Sequence, residues 1–274
     1  MDHLDIGLLS LGMMVLLVYA GLYVPIALGL CSFVGVWAIK GSPLLASKLL
    51  ALAAYDSISS YIFGVVPLFV LMGMVVSVAD IGRDTFEVAN RILGKIRGGL
   101  GVATVAANAV FAAITGISIA SAAVFTKVAV PEMLRFGYSP RFAVGIVAGS
   151  SVLGMLIPPS LLLILYGVLA EQSVGDLFIA GILPGLLLAA AFAIAIVVFA
   201  DRLGAGAGKA IETVISRREA TFKLLPIVLL VALVLGGIYG GLFTPTEAGA
   251  VGALGALVIA FVKGKMTGRK FWDV

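Results

Sequence analysis

Two interruptions in an otherwise apolar sequence place oxygen-bearing groups where an ion or a small anion could be held. The first is Ile114–Thr115–Gly116–Ile117–Ser118, where Thr115 and Ser118, with Ser121 one turn on, offer hydroxyls. The second is Leu153–Gly154–Met155–Leu156–Ile157–Pro158–Pro159–Ser160. Each proline lacks the N–H that would bond the carbonyl four residues back, so the carbonyls of Gly154 and Met155 lose their helical partners. Ile157 and Pro158 each precede a proline and are pushed out of the helical region. In hydrocarbon an unsatisfied polar group costs several kcal/mol, so these oxygens need a partner: a bare cation, or else a neighbouring helix, a hydroxyl or water. A half-helix ending in exposed carbonyls favours cations and a half-helix N-terminus favours anions, the device by which discontinuous membrane helices hold ions and carboxylates.

Other polar residues carry less. Asn108, within the segment leading to the first interruption, reads as an interhelical hydrogen-bonding residue. Lys127 and Glu132 read as snorkelling surface charges, and Glu247, after Thr244–Pro245–Thr246, reads as a helix cap. Gly145 and Gly149, Gly181 and Gly185, and Gly237 and Gly241 have the four-residue spacing of close helix packing. The lone histidine, His3, is terminal, which excludes a histidine-based triad or an internal histidine metal cluster. Gly204–Lys209 lacks the spacing and the following Ser or Thr of a phosphate loop and reads as a flexible linker. No catalytic residue or bound cofactor is expected, and the chain is not read as an enzyme.

The elements that must position these groups are helices in a bilayer. Of the 274 residues 62% are hydrophobic and 12% charged, against about 25% charged in soluble domains. Uncharged runs cover Ile6–Ile39, Ser57–Ala79, Gly99–Thr126, Phe142–Ala170, Leu177–Ala200, Leu224–Thr246 and Ala248–Val262. All but the last approach or exceed the roughly 20 residues a spanning helix requires. The first run is too long, and its acidic flank wrong, for a cleaved signal peptide. The single cysteine, Cys31, excludes an internal disulfide. The excess of 18 Lys and Arg over 14 Asp and Glu belongs to membrane-facing loops, since no long basic run suggests nucleic acid.

Loop charge gives the sidedness, because cytoplasmic loops are rich in Lys and Arg. Lys263, Lys265, Arg269 and Lys270 place the tail inside, as Arg202, Lys209, Arg217, Arg218 and Lys223 place the stretch 201–223. The turns Glu171–Asp176 and Phe243–Glu247 have no basic residue and read as outside. Gly99–Thr126 has basic residues on both flanks, Arg83, Arg91, Lys95 and Arg97 before it and Lys127, Arg135 and Arg141 after it, so it reads as a re-entrant hairpin entering and leaving on one side and turning near Gly116, the alternative being one straight helix with a misleading charge count. Ser57–Ala79 crosses inward, leaving 40–56 as an outer connection. The first run, broken at Pro25, is read as two short helices. Asp80–Arg97, with charges interleaved among Ile81, Phe86, Val88, Ile92 and Leu93, has the pattern of an amphipathic helix on the inner surface, and equally that of a plain connecting loop. Four regions follow: 1–98, scaffold-type helices with the amphipathic segment; 99–200, a transport-type unit of hairpin, broken helix and following span; 201–223, a cytoplasmic linker; and 224–274, a helical pair and basic tail.

An ordered set of motifs adds a resemblance. Phe111 to Ala123 (FAAITGISIASAA), Val130–Pro131–Glu132–Met133, Gly137–Tyr138, Ile157–Pro158–Pro159–Ser160, Tyr166–Gly167–Val168, Ala180 to Gly185 (AGILPG) and Phe243 to Ala248 (FTPTEA) resemble the large permease subunit (DctM-like) of TRAP, or tripartite ATP-independent periplasmic, transporters. The resemblance runs along nearly the whole chain. It implies an all-α polytopic protein of the prokaryotic inner membrane with one half of an inverted-repeat, elevator-type fold. It further implies a sodium-driven importer of organic acids, working with a small membrane permease subunit and a periplasmic substrate-binding protein. Carried over by position, the sodium ligands would be Thr115, Ile117, Gly154, Ile157 and Pro159, mainly through backbone oxygens, with Ser118, Ser121 and Ser160 near the substrate path.

The chain departs from the family pattern in two ways. Many members have a Ser-Gly-Ser tip followed by an aspartate, where this sequence has Thr115–Gly116–Ile117 and, at the aspartate position, Ser121. Members also carry a second, inverted half with its own hairpin and broken helix, and no second copy is found. The chain therefore reads as the N-terminal half of such a subunit: a truncated product, a fragment or one part of a split permease. The competing readings are a non-transporting membrane scaffold and an anion:sodium symporter outside the tripartite group.

Overall fold

A computed structural model describes residues 3–59, 61–200 and 216–266. Every regular element among the described residues is helical. The chain divides into two compact units, 1–63 and 64–274.

The first unit holds α1 (His3–Tyr19), α2 (Val24–Lys40) and α3 (Pro43–Ser59). The first apolar run is thus two helices, and Pro25 sits in the first turn of the second, where its missing N–H costs nothing. The stretch expected as an outer connection is instead helix α3. Ser42 Oγ accepts from the Leu45 N–H at 3.3 Å, and Pro43 opens the helix. Leu44, Leu45, Leu49, Leu50 and Leu52 give this stretch an apolar helical surface beside Lys40 and Lys48. Cys31 is a buried free thiol.

The second unit begins with α4 (Val65–Val78), which bends by 64° into α5 (Ile81–Leu93). The hinge residue Asp80 has φ of 57°, a conformation in which a helix cannot continue straight. Then follow α6 (Gly99–Thr115), α7 (Ser118–Arg135), α8 (Pro140–Ser151), a 3-10 turn (Val152–Met155), α9 (Leu161–Leu169), α10 (Val174–Phe199), α11 (Arg217–Tyr239) and α12 (Pro245–Val262). Three of these, α10, α11 and α12, are long and apolar enough to cross a membrane. In α11 the first two turns, Arg217–Lys223, had been expected as linker; Ser216 caps them by accepting from the Glu219 N–H at 3.2 Å. The remainder of that linker, 201–215 with Gly204–Lys209, and the tail residues Arg269 and Lys270 lie outside the described residues.

Helix α6 is the centre of this unit. It is built mostly of Gly, Ala, Val and Thr with Leu100, Asn108, Phe111 and Ile114 among them, is buried over most of its surface as expected of a largely apolar helix, and packs against α5, α7, α8 and α10. At 17 residues it is about 25 Å long, less than the roughly 30 Å of a hydrocarbon core. Helix α12 lies along α4, where Gly249 and Gly252 leave room for Phe69 and Met72. Its start is a capping box: Thr244 Oγ1 accepts from the Glu247 N–H at 3.3 Å while Glu247 Oε2 accepts from the Thr244 N–H at 2.8 Å.

The amphipathic segment is helix α5, and its apolar face does not wait for lipid. Ile81, Phe86 and Val88 are buried against protein, and Gly82 lies against Val124 and Phe111. Its acids meet lysines of the last two helices. Glu87 and Asp84 pair with Lys223 of α11, Asp84 also with Lys263 at the end of α12, and Asp80 Oδ2 with Lys265 Nζ at 2.8 Å. Burial pushes the Glu87 carboxyl up, but hydrogen bonds and charge from Lys223 and Arg83 outweigh it and hold the group below the usual carboxylate range.

Candidate functional site: the hairpin tip on the broken helix

The chain reverses direction between α6 and α7. Gly116 ends α6 with φ of 61°, and its N–H donates to the Ala112 carbonyl at 2.9 Å; this left-handed terminator is where glycine has no steric cost. Ile117 is extended, and α7 starts at Ser118. The reversal is visible in the ring contact of Phe111 with Phe125, whose centroids lie 5.6 Å apart at 83°. A continuous helix would hold these residues about 21 Å apart. The segment expected to turn near Gly116 is therefore a helical hairpin.

The second interruption lies against its tip. After the 3-10 turn, the Leu156 and Ile157 N–H groups both donate to the Leu153 carbonyl, at 3.1 and 2.8 Å, and helix resumes only at Leu161 beyond Pro158–Pro159, whose bond is cis. The Leu161 N–H donates to the Gly116 carbonyl at 3.1 Å. A Cβ added to Gly116 would lie 2.3 Å from the Pro159 carbonyl oxygen, and one added to Gly154 would lie 3.2 Å from the Ser118 nitrogen. On the α4 side, the corresponding position at Gly73 is 3.4 Å from Thr115 Cβ and 3.5 Å from Ile117 Cδ1. Thr115, Ile117, Ser118, Gly154 and Pro159 thus meet at one junction. Ile157 takes a different direction: its side chain lies against Gly185 of α10, and the neighbouring Leu156 carbonyl lies against Gly181.

The hydroxyls differ in what they have left to offer. Thr115 Oγ1, fully buried, donates to the Phe111 carbonyl at 3.1 Å. Ser160 Oγ donates to the Met155 carbonyl at 2.7 Å and accepts from the Leu163 N–H at 3.3 Å, so it caps α9. The Met155 carbonyl, expected to be freed by Pro159, is therefore satisfied by the hydroxyl next to the prolines. Ser121 Oγ is fully buried and has no hydrogen-bond partner among the described residues. Asn108 is the interhelical residue it was read as, its Nδ2 donating to Ser150 Oγ of α8 at 2.5 Å, but its Oδ1 is buried without a partner.

No ionisable side chain is among the residues meeting here. The field is set by backbone: α6 and the α8 turn bring carbonyl ends, and α7 and α9 bring N–H ends, to one place. A carbonyl end carries partial negative charge and an N–H end partial positive charge, so the junction can hold a cation beside an anion without a charged residue. Sequence reasoning missed Gly73, Ser150 and part of the role of Gly181 and Gly185: Gly181 packs against Leu163 of helix α9, as its spacing suggested, but also admits the Leu156 carbonyl, and Gly185 admits Ile157. Their four-residue spacing was visible, but not what they face.

Helices passing through a membrane, a hairpin and a helix broken at its tip define an all-α polytopic membrane protein with a discontinuous-helix site. The chain belongs to the family described as tripartite ATP-independent periplasmic transporter, DctM component, whose model matches residues 11–273. It is 40% identical over 217 residues to the C4-dicarboxylate TRAP transporter large permease protein DctM of Pseudomonas aeruginosa, covering 78% of this chain and 50% of that one. It is 31% identical over 273 residues to the isethionate TRAP transporter permease protein DctMQ of Oleidesulfovibrio alaskensis, covering 99% and 42%. With the sialic acid TRAP transporter large permease protein SiaM of Vibrio cholerae it shares 37% identity over 201 residues, 72% of this chain and 46% of that one. The chain spans about half the length of these curated relatives.

Proposed function

We propose that this chain forms the sodium-binding half of a permease that imports a small organic acid across the bacterial cytoplasmic membrane. The observation that carries the reading is the seating of the hairpin tip on the proline break, through Leu161 N–H to the Gly116 carbonyl. Sodium is a hard cation suited to carbonyl and hydroxyl oxygens. Thr115, Ile117, Gly154 and Pro159 supply that chemistry at the junction, and Ile157 joins them through its carbonyl. Ser118 and Ser121, at the positive end of α7, face the anion, and Ser160 acts through the cap it forms. Relatives named for C4-dicarboxylates, isethionate and sialic acid support an organic anion as cargo. The permease works with a small membrane subunit and a periplasmic binding protein, which delivers the substrate.

The test is uptake into vesicles with both partners present and the relatives' remaining length supplied as a second polypeptide. Uptake that rises with a sodium gradient and is lost in a Pro158→Ala, Pro159→Ala variant is expected. Uptake indifferent to sodium would overturn the sodium coupling, and no uptake at all would favour an anchoring scaffold. Uptake without a binding protein would point to a symporter outside the tripartite group.

A further inference from the structure

Away from the hairpin tip, α5, α7 and α11 enclose a cavity of about 550 Å³. Its ionisable lining is balanced: Arg83, Lys127 and Lys223 against Glu87, Glu132 and Glu219. Most of these charges are already matched. Arg83 Nε meets Glu87 Oε1 at 3.0 Å, and Lys223 meets Glu87 and, at 3.5 Å, Glu219. Lys127 is the exception, with no ion pair or hydrogen bond among the described residues, and Glu132 has only a long, exposed pair with the Arg135 guanidinium at 3.9 Å. Both project from α7, five residues apart, so the wall of the cavity carries an uncompensated ammonium and an under-used carboxylate. Asn90, also in the wall, keeps a side-chain oxygen without a partner.

The cavity sits where charge gives way to hydrocarbon-compatible sequence. Helix α11 passes from Arg217, Arg218, Glu219 and Lys223 into the apolar run that begins at Leu224. Phe222 and Leu225, which flank Lys223, are 63% and 49% exposed, and Leu134 of α7 is 42% exposed. A ligand reaching this cavity from the bilayer brings its headgroup to the ionisable wall and leaves its chains beside these side chains. A purely anionic headgroup would find three carboxylates as well as three cations. A headgroup with both charges, and with N–H donors for Glu132, fits better.

We infer that this cavity is a binding site for the phosphoethanolamine headgroup of a membrane lipid, with the phosphate on Lys127 and the ammonium on Glu132. The site is separate from the hairpin tip and does not depend on sodium coupling. Phosphatidylethanolamine, phosphatidylcholine and phosphatidylglycerol with the same acyl chains are titrated onto the purified chain and bound lipid is counted by native mass spectrometry. Choline has no N–H, so one charge-assisted hydrogen bond is lost, and phosphatidylethanolamine should bind about tenfold more tightly. Glu132→Gln should erase that preference, Lys127→Ala should weaken both lipids about tenfold without changing their ratio, and Arg141→Ala, on an exposed residue outside the cavity, should change neither. Lys127 holds nothing in place, so an unchanged melting temperature in Lys127→Ala confirms that the fold survives. Equal binding of the ethanolamine and choline lipids, tighter binding of phosphatidylglycerol, or a Lys127→Ala variant that binds both lipids as tightly as the native chain overturns the assignment. So does soluble phosphoethanolamine binding as tightly as the lipid, which would make the ligand a free zwitterion.

Discussion

The Leu161 N–H donates to the carbonyl of Gly116 at 3.1 Å, joining the first residue of the helix after the proline break to the last turn of the hairpin's first arm. One backbone hydrogen bond thus ties two interruptions that are 45 positions apart in the chain, and it leaves no room for a side chain between them.

Gly116→Ala tests that closeness. The substitution forces a left-handed conformation on a residue with a Cβ and drives that atom to 2.3 Å from the Pro159 oxygen. The strain of the conformation alone costs about 1–3 kcal/mol, and the clash adds to it. Thermal unfolding of the purified protein should show a lowered midpoint, and uptake should lose its response to sodium.

Gly181 and Gly145 share a spacing pattern but not surroundings. A Cβ on Gly181 would meet the Leu156 carbonyl oxygen at 2.6 Å, whereas Gly145 has nothing within 4 Å. Gly181→Ala should destabilise by about 1–3 kcal/mol. Gly145→Ala should be neutral or stabilise by up to about 1 kcal/mol through helix propensity. Equal effects in denaturant melts would refute the packing difference.

Ser121→Ala separates structure from function. Its hydroxyl is buried without a partner, so removing it should leave stability unchanged or raise it by up to about 1 kcal/mol. If the hydroxyl serves the transported ion or anion, uptake falls while the melting temperature does not. A variant less stable yet equally active would contradict the role proposed for Ser121.

The Asn108–Ser150 bond, 2.5 Å between α6 and α8, is open to a double-mutant cycle. With Asn108→Ala, Ser150→Ala and the double variant, the coupling energy should be about 1 kcal/mol. Additive effects would mean that the pair contributes nothing beyond its separate contacts.

Glu87 makes the clasp between α5 and α11 sensitive to acid. Its carboxyl is held below the usual range in the folded protein, so its contribution is complete above the unfolded carboxylate value and is lost as pH falls through the folded one. The stability difference between the native protein and Glu87→Gln should be constant near neutrality and shrink below about pH 4. A difference that grows on acidification would reverse the sign of the interaction.

Much of the architecture was legible because the relevant physics is local. Low charge over long runs can only mean a bilayer or a fully covered core. Two successive prolines remove neighbouring N–H donors and interrupt a helix, and basic residues on both flanks of Gly99–Thr126 require a reversal within it, so Pro158–Pro159 and the turn near Gly116 were found without any structure. The cap at Thr244–Glu247 is likewise a matter of four neighbouring residues.

What the tertiary structure alone decided is where those local features face. Nothing in the spacing of Gly116 and Leu161 says that they bond, that Ser160 takes up the Met155 carbonyl, or that Gly181 and Gly185 receive the residues of the proline break. The lysines that hold α5, Lys223 and Lys263, come from more than 130 positions away, so an amphipathic pattern that suits a lipid surface equally suits a protein groove. The sequence determined the class of protein and where its helices must fail. Only packing in three dimensions brought the failures together, because which carbonyl meets which donor depends on the path of the whole chain.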